Sequence, residues 1–204
     1  MSTNFRRDLS NGQKYEQWFT HEFLPNSEQH ETNDDKLYDI LHEGKKYEVK
    51  CDSNCFIFYR IGFEVYSWTG PSGIMSTEAD YWINIIPFMN YIVLMPIPRM
   101  REFVQEYKYD ATVRATGDEK ASKMILWDYD FFMDKIDNID GFKKIKYSIP
   151  NLYGNEAFYH LINKYIWYSN RQECKHRMME KPVIDEYYNR VTRKIKEKYG
   201  WTTD

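Results

Sequence analysis

The chain has 204 residues, of which 42% are hydrophobic, 29% charged and 18% aromatic, with only 9 Gly and 7 Pro. This balance excludes collagen-like and largely disordered chains and points to one globular domain with an appendage. The formal net charge of −3 carries no whole-chain mark of a polyanion partner, but it averages an acidic body and a basic tail: residues 1–140 hold 15 Lys/Arg against 24 Asp/Glu (−9), residues 141–204 hold 13 against 7 (+6). Three cysteines are too few for a disulfide framework and predict reduced thiols in an intracellular setting. No signal-peptide core is visible at the start, and the most apolar stretch, 81–97, is broken by Asn84, Pro87, Asn90 and Pro96, so no membrane span is expected.

From Gly12 to Phe23 the apolar residues Tyr15, Trp18, Phe19 and Phe23 recur at helical spacing. A polar loop, 26–35, follows. Residues 36–42 and 45–51 read as two strands joined by Glu43-Gly44, a tight hairpin, and the aromatic and β-branched run 56–67 reads as a third strand. Residues 81–86 and 91–95 predict two more strands around a turn at 87–90. Met100, Phe103, Val104 and Tyr107 predict a helix over 98–107, and 124–127 a further short strand. Gly141 and Pro150 then mark a change to helices over 156–169 and 184–199. The expected fold is α/β (α+β): a mixed central sheet of about five strands flanked by helices in a core spanning 1–150, with a basic, aromatic helical extension over 151–204.

The hairpin holds the best chemical signal. If its loop is symmetric about Glu43-Gly44, residues whose numbers sum to 87 face each other, and Asp39 lies opposite Glu48. Directly opposed carboxylates repel unless something positive lies between them. A hard divalent cation such as Mg²⁺ supplies that charge and is often held by one or two carboxylates plus water and phosphate. Strand alternation puts Lys50 on the face of Glu48, where a lysine orients an attacking water or offsets charge on a phosphate. An acid-x-Lys triplet is common by composition; the pairing register is what singles this one out. Glu16, at the edge of the apolar helix face, is the fourth candidate, with Glu22 a weaker one.

Gly12-x3-Glu16 on a leading helix, then Asp39, then Glu48-Val49-Lys50 opening into an apolar strand, resembles the PD-(D/E)XK nuclease superfamily, whose common core is an αβββαβ unit. Tyr38 stands where that pattern has Pro. Phe63-Glu64-Val65-Tyr66, Pro71-Ser72-Gly73-Ile74, Glu78-Ala79-Asp80-Tyr81-Trp82 and Gly117-Asp118-Glu119-Lys120-Ala121-Ser122 are similar to a phage-type group of small nucleases in it. The resemblance implies Asp39 and Glu48 as ligands of Mg²⁺, with Mn²⁺ as a substitute. It further implies the carbonyl of Val49 as an extra ligand, Lys50 as the catalytic lysine, Glu16 as the helix acid, and hydrolysis of DNA to a 5′-phosphate. The location implied for a viral member is the host cytoplasm. A homodimer is expected if two active sites act together, as in junction resolution.

Ser72 and Gly73 are expected to offer backbone N–H groups to a phosphate, and Thr112, Arg114, Lys120, Ser122 and Lys123 to contact a DNA backbone; turn chemistry and a solvated face are the plainer account of each. Glu64 shares a strand face with Arg60, so an ion pair is the simpler expectation and a role behind the metal the sharper one. Cys51, Cys55, Cys174 and His176 make a zinc site only on paper, since neither half has the usual spacing. The basic tail is expected to steer DNA or to be the solvated side of an apolar helix face. The rival to an enzyme is a non-catalytic module that binds DNA or a protein on the same fold.

Overall fold

The computed structural model describes residues 3–29, 38–67, 69–116 and 122–153. The chain divides into two compact units, Met1–Leu152 and Tyr153–Asp204. The helices expected over 156–169 and 184–199, and with them nearly all of the basic extension, lie outside the described residues.

The first unit is mixed α/β. Helix α1 (Thr3–Phe23) leads into the two-residue strand β1 (Glu28–Gln29), then β2 (Ile40–His42) and β3 (Lys45–Cys51). A one-turn helix α2 (Cys55–Phe58) precedes β4 (Arg60–Ser67) and β5 (Gly70–Pro71). After a 3₁₀ turn at Gly73–Met75 come β6 (Tyr81–Ile86), β7 (Tyr91–Pro96) and α3 (Ile97–Tyr107). The unit closes with β8 (Thr112–Thr116), β9 (Ser122–Asp128), α4 (Tyr129–Ile136) and β10 (Lys143–Lys146). Among the described residues no helix is long and apolar enough to cross a membrane.

These strands form two sheets. The larger has the order β1-β2-β3-β6-β7-β10 and is antiparallel except for the parallel pair β3–β6; the smaller has the order β5-β4-β9-β8 and is antiparallel throughout. A parallel pair needs a long crossover. Here the crossover from β3 to β6 contains α2, β4 and β5, so β4 leaves the main sheet and pairs with β9 instead. The strand expected over 56–67 is therefore shorter and belongs to a second sheet. Its first residues turn helical because the Asp52 carboxylate accepts the Cys55 N–H at 2.9 Å and Tyr59 closes the turn in the left-handed region at φ 52°.

The core lies between the two sheets. Phe63 of β4 meets Trp82 of β6 at 6.1 Å between ring centroids, and Phe63, Phe103, Trp127 and Phe132 form a continuous aromatic group with centroids 5.0–6.2 Å apart. Such pairs add about 0.5–1.5 kcal/mol each beyond the area they bury. Arriving over 97–107, α3 buries Met100, Phe103 and Val104, the face expected from their spacing. Helix α1 packs against β3, with Tyr15 fully buried; its hydroxyl donates to Pro150 O and accepts from Leu152 N–H, both at 3.2 Å.

Candidate active site

The hairpin turn has both central residues at positive φ, Glu43 at 48° and Gly44 at 73°, the geometry that matches the twist of two antiparallel strands. The register follows from it: His42 faces Lys45, Leu41 faces Lys46 and Ile40 faces Tyr47. Asp39 stands one residue before β2. Its N–H donates to Tyr47 O at 2.9 Å, the carbonyl of Ile40's own register partner, so the regular ladder ends at Ile40–Tyr47 and does not extend to the direct Asp39–Glu48 pair expected from the sequence.

The charge between these two carboxylates is the Lys50 ammonium. Lys50 Nζ lies 2.6 Å from Glu48 Oε1 and 3.5 Å from Asp39 Oδ2, and 6.0 Å from the centre of the Trp82 ring. Asp39 Oδ2 also accepts the Val49 N–H at 2.7 Å, so its orientation is set by the backbone of the strand that carries Glu48 and Lys50. The Val49 side chain is fully buried on the other face of β3.

Burial shapes the protonation of the group. Glu48 is 8% exposed, and loss of water raises its pKa, with Asp39 adding to the rise while Lys50 and a hydrogen bond from Thr77 oppose it. Glu16 on α1 is pushed up to about 7, first by burial and then by Asp39 and Glu48, against the pull of Lys50. Desolvation acts to lower the Lys50 pKa, but Asp39, Glu48 and Glu16 outweigh it and the net direction is up. Three acids and one lysine thus share a partly buried place with an excess of negative charge, Glu48 being the most enclosed of them.

That donor set fits a hard divalent cation: carboxylate oxygens, crowded so that they favour added positive charge, with a half-exposed lysine beside them. The fit is to two carboxylates rather than three. Among the described residues no group of three or more His, Cys, Asp or Glu is arranged to hold a metal ion, and Glu16 interacts with Asp39 and Glu48 only electrostatically. Cys51 and Cys55 form no disulfide; Cys174 and His176 lie outside the described residues.

The residues expected to bind phosphate are placed differently. The Ser72 hydroxyl donates to Glu64 Oε1 at 2.7 Å, and its N–H to Val65 O at 3.3 Å. Gly73 sits at φ +52° against β4, where a Cβ would run into the Glu64 carbonyl oxygen. Both residues are committed to the turn that packs on β4. Glu64 takes Ser72 as its partner rather than Arg60, which faces Asp128 across the sheet. Arg114 faces Met124, and Ser122 faces Thr116, on the smaller sheet, apart from the strands that carry Asp39, Glu48 and Lys50. Lys120 lies outside the described residues.

Sequence reasoning missed three neighbours of the site. Thr77 hydrogen-bonds to Glu48. Trp82 and Asn84 are the register partners of Glu48 and Lys50 on β6, and both are nearly fully buried. Trp82 Nε1 and Asn84 Nδ2 have no hydrogen-bond partner among the described residues. The signal for Asn84 was visible: it is the one amide in the apolar run Tyr81-Trp82-Ile83-Asn84-Ile85-Ile86. Asp80 binds this strand to β3 by exchanging two 2.9 Å bonds with the backbone of Lys46.

Comparison with protein-family models, with curated proteins and with solved structures finds no match for this chain.

Proposed function

We propose that the protein is a divalent-cation-dependent nuclease that hydrolyses phosphodiester bonds of DNA, with Asp39 and Glu48 holding Mg²⁺ or Mn²⁺ and Lys50 positioning the attacking water. The observation that supports this reading is the Lys50 ammonium lying 2.6 Å from one carboxylate, Glu48, and 3.5 Å from a second, Asp39. Structural ion pairs are usually one acid to one base on a wet surface, whereas two acids sharing a lysine, one acid 8% exposed, make a reactive arrangement. The cation, when bound, supplies Lewis-acid polarisation of the phosphate.

This chain's own groups supply the rest. Lys50 donates to the water and to the developing negative charge. Asp39 is held by the Val49 N–H and keeps its place during turnover. The water's lone pair forms a P–O bond as the bond from phosphorus to the leaving oxygen breaks. The attacking water loses its proton to solvent, and the leaving oxygen takes one up.

The test is incubation of the full chain with Mg²⁺ and linear, nicked, flapped, branched and single-stranded DNAs, with RNA alongside. Asp39→Asn, Glu48→Gln and Lys50→Ala are each expected to abolish cleavage while the protein stays folded. Full activity in any of them refutes the assignment. If the wild-type chain binds DNA and cuts none of these substrates, the binding-module reading replaces it.

A further inference from the structure

Beside its charged neighbours Glu48 has one neutral partner, Thr77. Thr77, 6% exposed, gives its hydroxyl proton to the Glu48 carboxylate, and its Oγ1 accepts the Ala79 N–H at 3.2 Å. With the proton given one way and a lone pair filled from another, the hydroxyl has one orientation left to it. The Thr77 backbone is held just as firmly. Its N–H donates to Gly73 O at 3.0 Å, and its carbonyl accepts from Arg101 Nη2 at 2.9 Å.

Arg101 stands on α3, a helix anchored in the core by Met100, Phe103 and Val104. Its Nε donates to Ile74 O at 3.0 Å while Nη2 holds Thr77 O. One planar guanidinium therefore clamps two carbonyls three residues apart, at either side of the end of the 3₁₀ turn Gly73–Met75. Among the described residues it forms no ion pair; its partners are these carbonyls. A charged fork used wholly on backbone fixes geometry in a way that a lysine cannot copy.

We infer that Thr77 and Arg101 are positioning residues for Glu48: Thr77 fixes the carboxylate about its soft terminal torsion, and Arg101 fixes Thr77. The inference rests on the nuclease reading, in which Glu48 is a metal ligand. Without the hydroxyl the carboxylate is free to turn after the Lys50 ammonium, because the last torsion of a glutamate has broad minima. Groups that orient a metal-binding side chain typically change metal affinity or activity 10- to 100-fold when they are removed.

The experiment uses the full chain as wild type, Thr77→Val, Thr77→Ser and Arg101→Lys. Two quantities are read: apparent Mn²⁺ affinity, from melting temperature against Mn²⁺ concentration without DNA, and kcat and KM on a DNA that the wild type cuts. Thr77→Val is expected to weaken Mn²⁺ binding and lower kcat by roughly 10- to 100-fold with KM for DNA nearly unchanged. Thr77→Ser, which keeps the hydroxyl, is expected to recover most of both, and Arg101→Lys to show a smaller loss of the same kind. Should Thr77→Val fail to fold, Arg101→Lys decides, and wild-type affinity and kcat in it overturn the inference. A fully active Thr77→Val beside a cutting wild type overturns this inference and leaves the nuclease reading standing. A wild-type chain that neither binds Mn²⁺ nor cuts DNA overturns both.

Discussion

Glu48 on β3 and Glu64 on β4 each sit in mid-strand, one in either sheet, and their surroundings have little in common. Glu48 shares a lysine with another carboxylate, Asp39, and is 8% exposed, so burial and like charge push its pKa upward. Glu64 accepts a serine hydroxyl at 2.7 Å, and a glycine turn closes against its backbone. The first arrangement concentrates charge of one sign around a single cation; the second satisfies one carboxylate with a neutral donor and holds a turn on a strand. A polar residue in mid-strand is thus ambiguous by itself, and the sign and number of its neighbours decide which kind it is.

The sharpest break of the comparison is the same substitution at both sites. Glu48→Gln is expected to lower Mg²⁺-dependent cleavage at least 1,000-fold, roughly the loss of an essential electrostatic group, whereas Glu64→Gln should leave kcat within a factor of about two because its amide oxygen still accepts from Ser72. A DNA cleavage assay on both variants decides it.

The next effects are on stability. Gly73→Ala places a side chain at φ +52° against the Glu64 backbone and should cost about 2–4 kcal/mol, read as a lower urea midpoint. Lys50→Met leaves Asp39 and Glu48 with no ammonium between them. The expected loss is about 2 kcal/mol, below the 3–5 of a fully buried pair because the lysine is half-exposed. Added Mn²⁺ should raise the melting temperature of this variant more than that of the wild type, since the cation takes over the lysine's neutralising part.

A pH effect sharpens the picture at the end of β3. Burial raises the Asp52 carboxyl from the ordinary 3.8 to about 6, against the N–H groups of Cys55, Gly62 and Asn54. Since the folded state holds the proton more tightly than the unfolded one, this contribution to stability is complete below about pH 4 and is lost as pH rises through 6. Asp52→Asn, which keeps an acceptor for the Cys55 N–H, should remove about 1–3 kcal/mol of that pH dependence, measured as urea midpoints between pH 4 and 7. The smallest effect is expected for Ser72→Ala, about 1 kcal/mol for a partly buried hydrogen bond, or a few degrees in melting temperature, with cleavage unchanged.

Much of the local geometry of the site was legible in the sequence. Glu43-Gly44 is a two-residue loop, so its symmetry sets the register of β2 and β3 as far as Ile40–Tyr47, whereas Asp39 is held beside Lys50 through its side chain and the Val49 N–H. Helix α3 was legible because Met100, Phe103, Val104 and Tyr107 repeat at helical spacing. Strand β4 was misread at its start because 56–58 are aromatic and β-branched, while the carboxylate that turns them helical, Asp52, exerts its effect by capping rather than by propensity. Ser72 and Gly73 were misplaced as phosphate donors because their partner, Glu64, is eight residues away in sequence and meets them only when β4 and its turn pack together.

What the sequence alone determined is what short-range physics decides: helix faces, a hairpin register, and the strand alternation that puts Glu48 and Lys50 on one face. Tertiary structure alone decided the parallel pairing of β3 with β6, the departure of β4 into a second sheet, and the meeting of Glu48 with Thr77 and of Thr77 with Arg101. Those features join residues 24 to 68 positions apart, and pairings over such distances depend on which surfaces the whole core buries together, which no local pattern records.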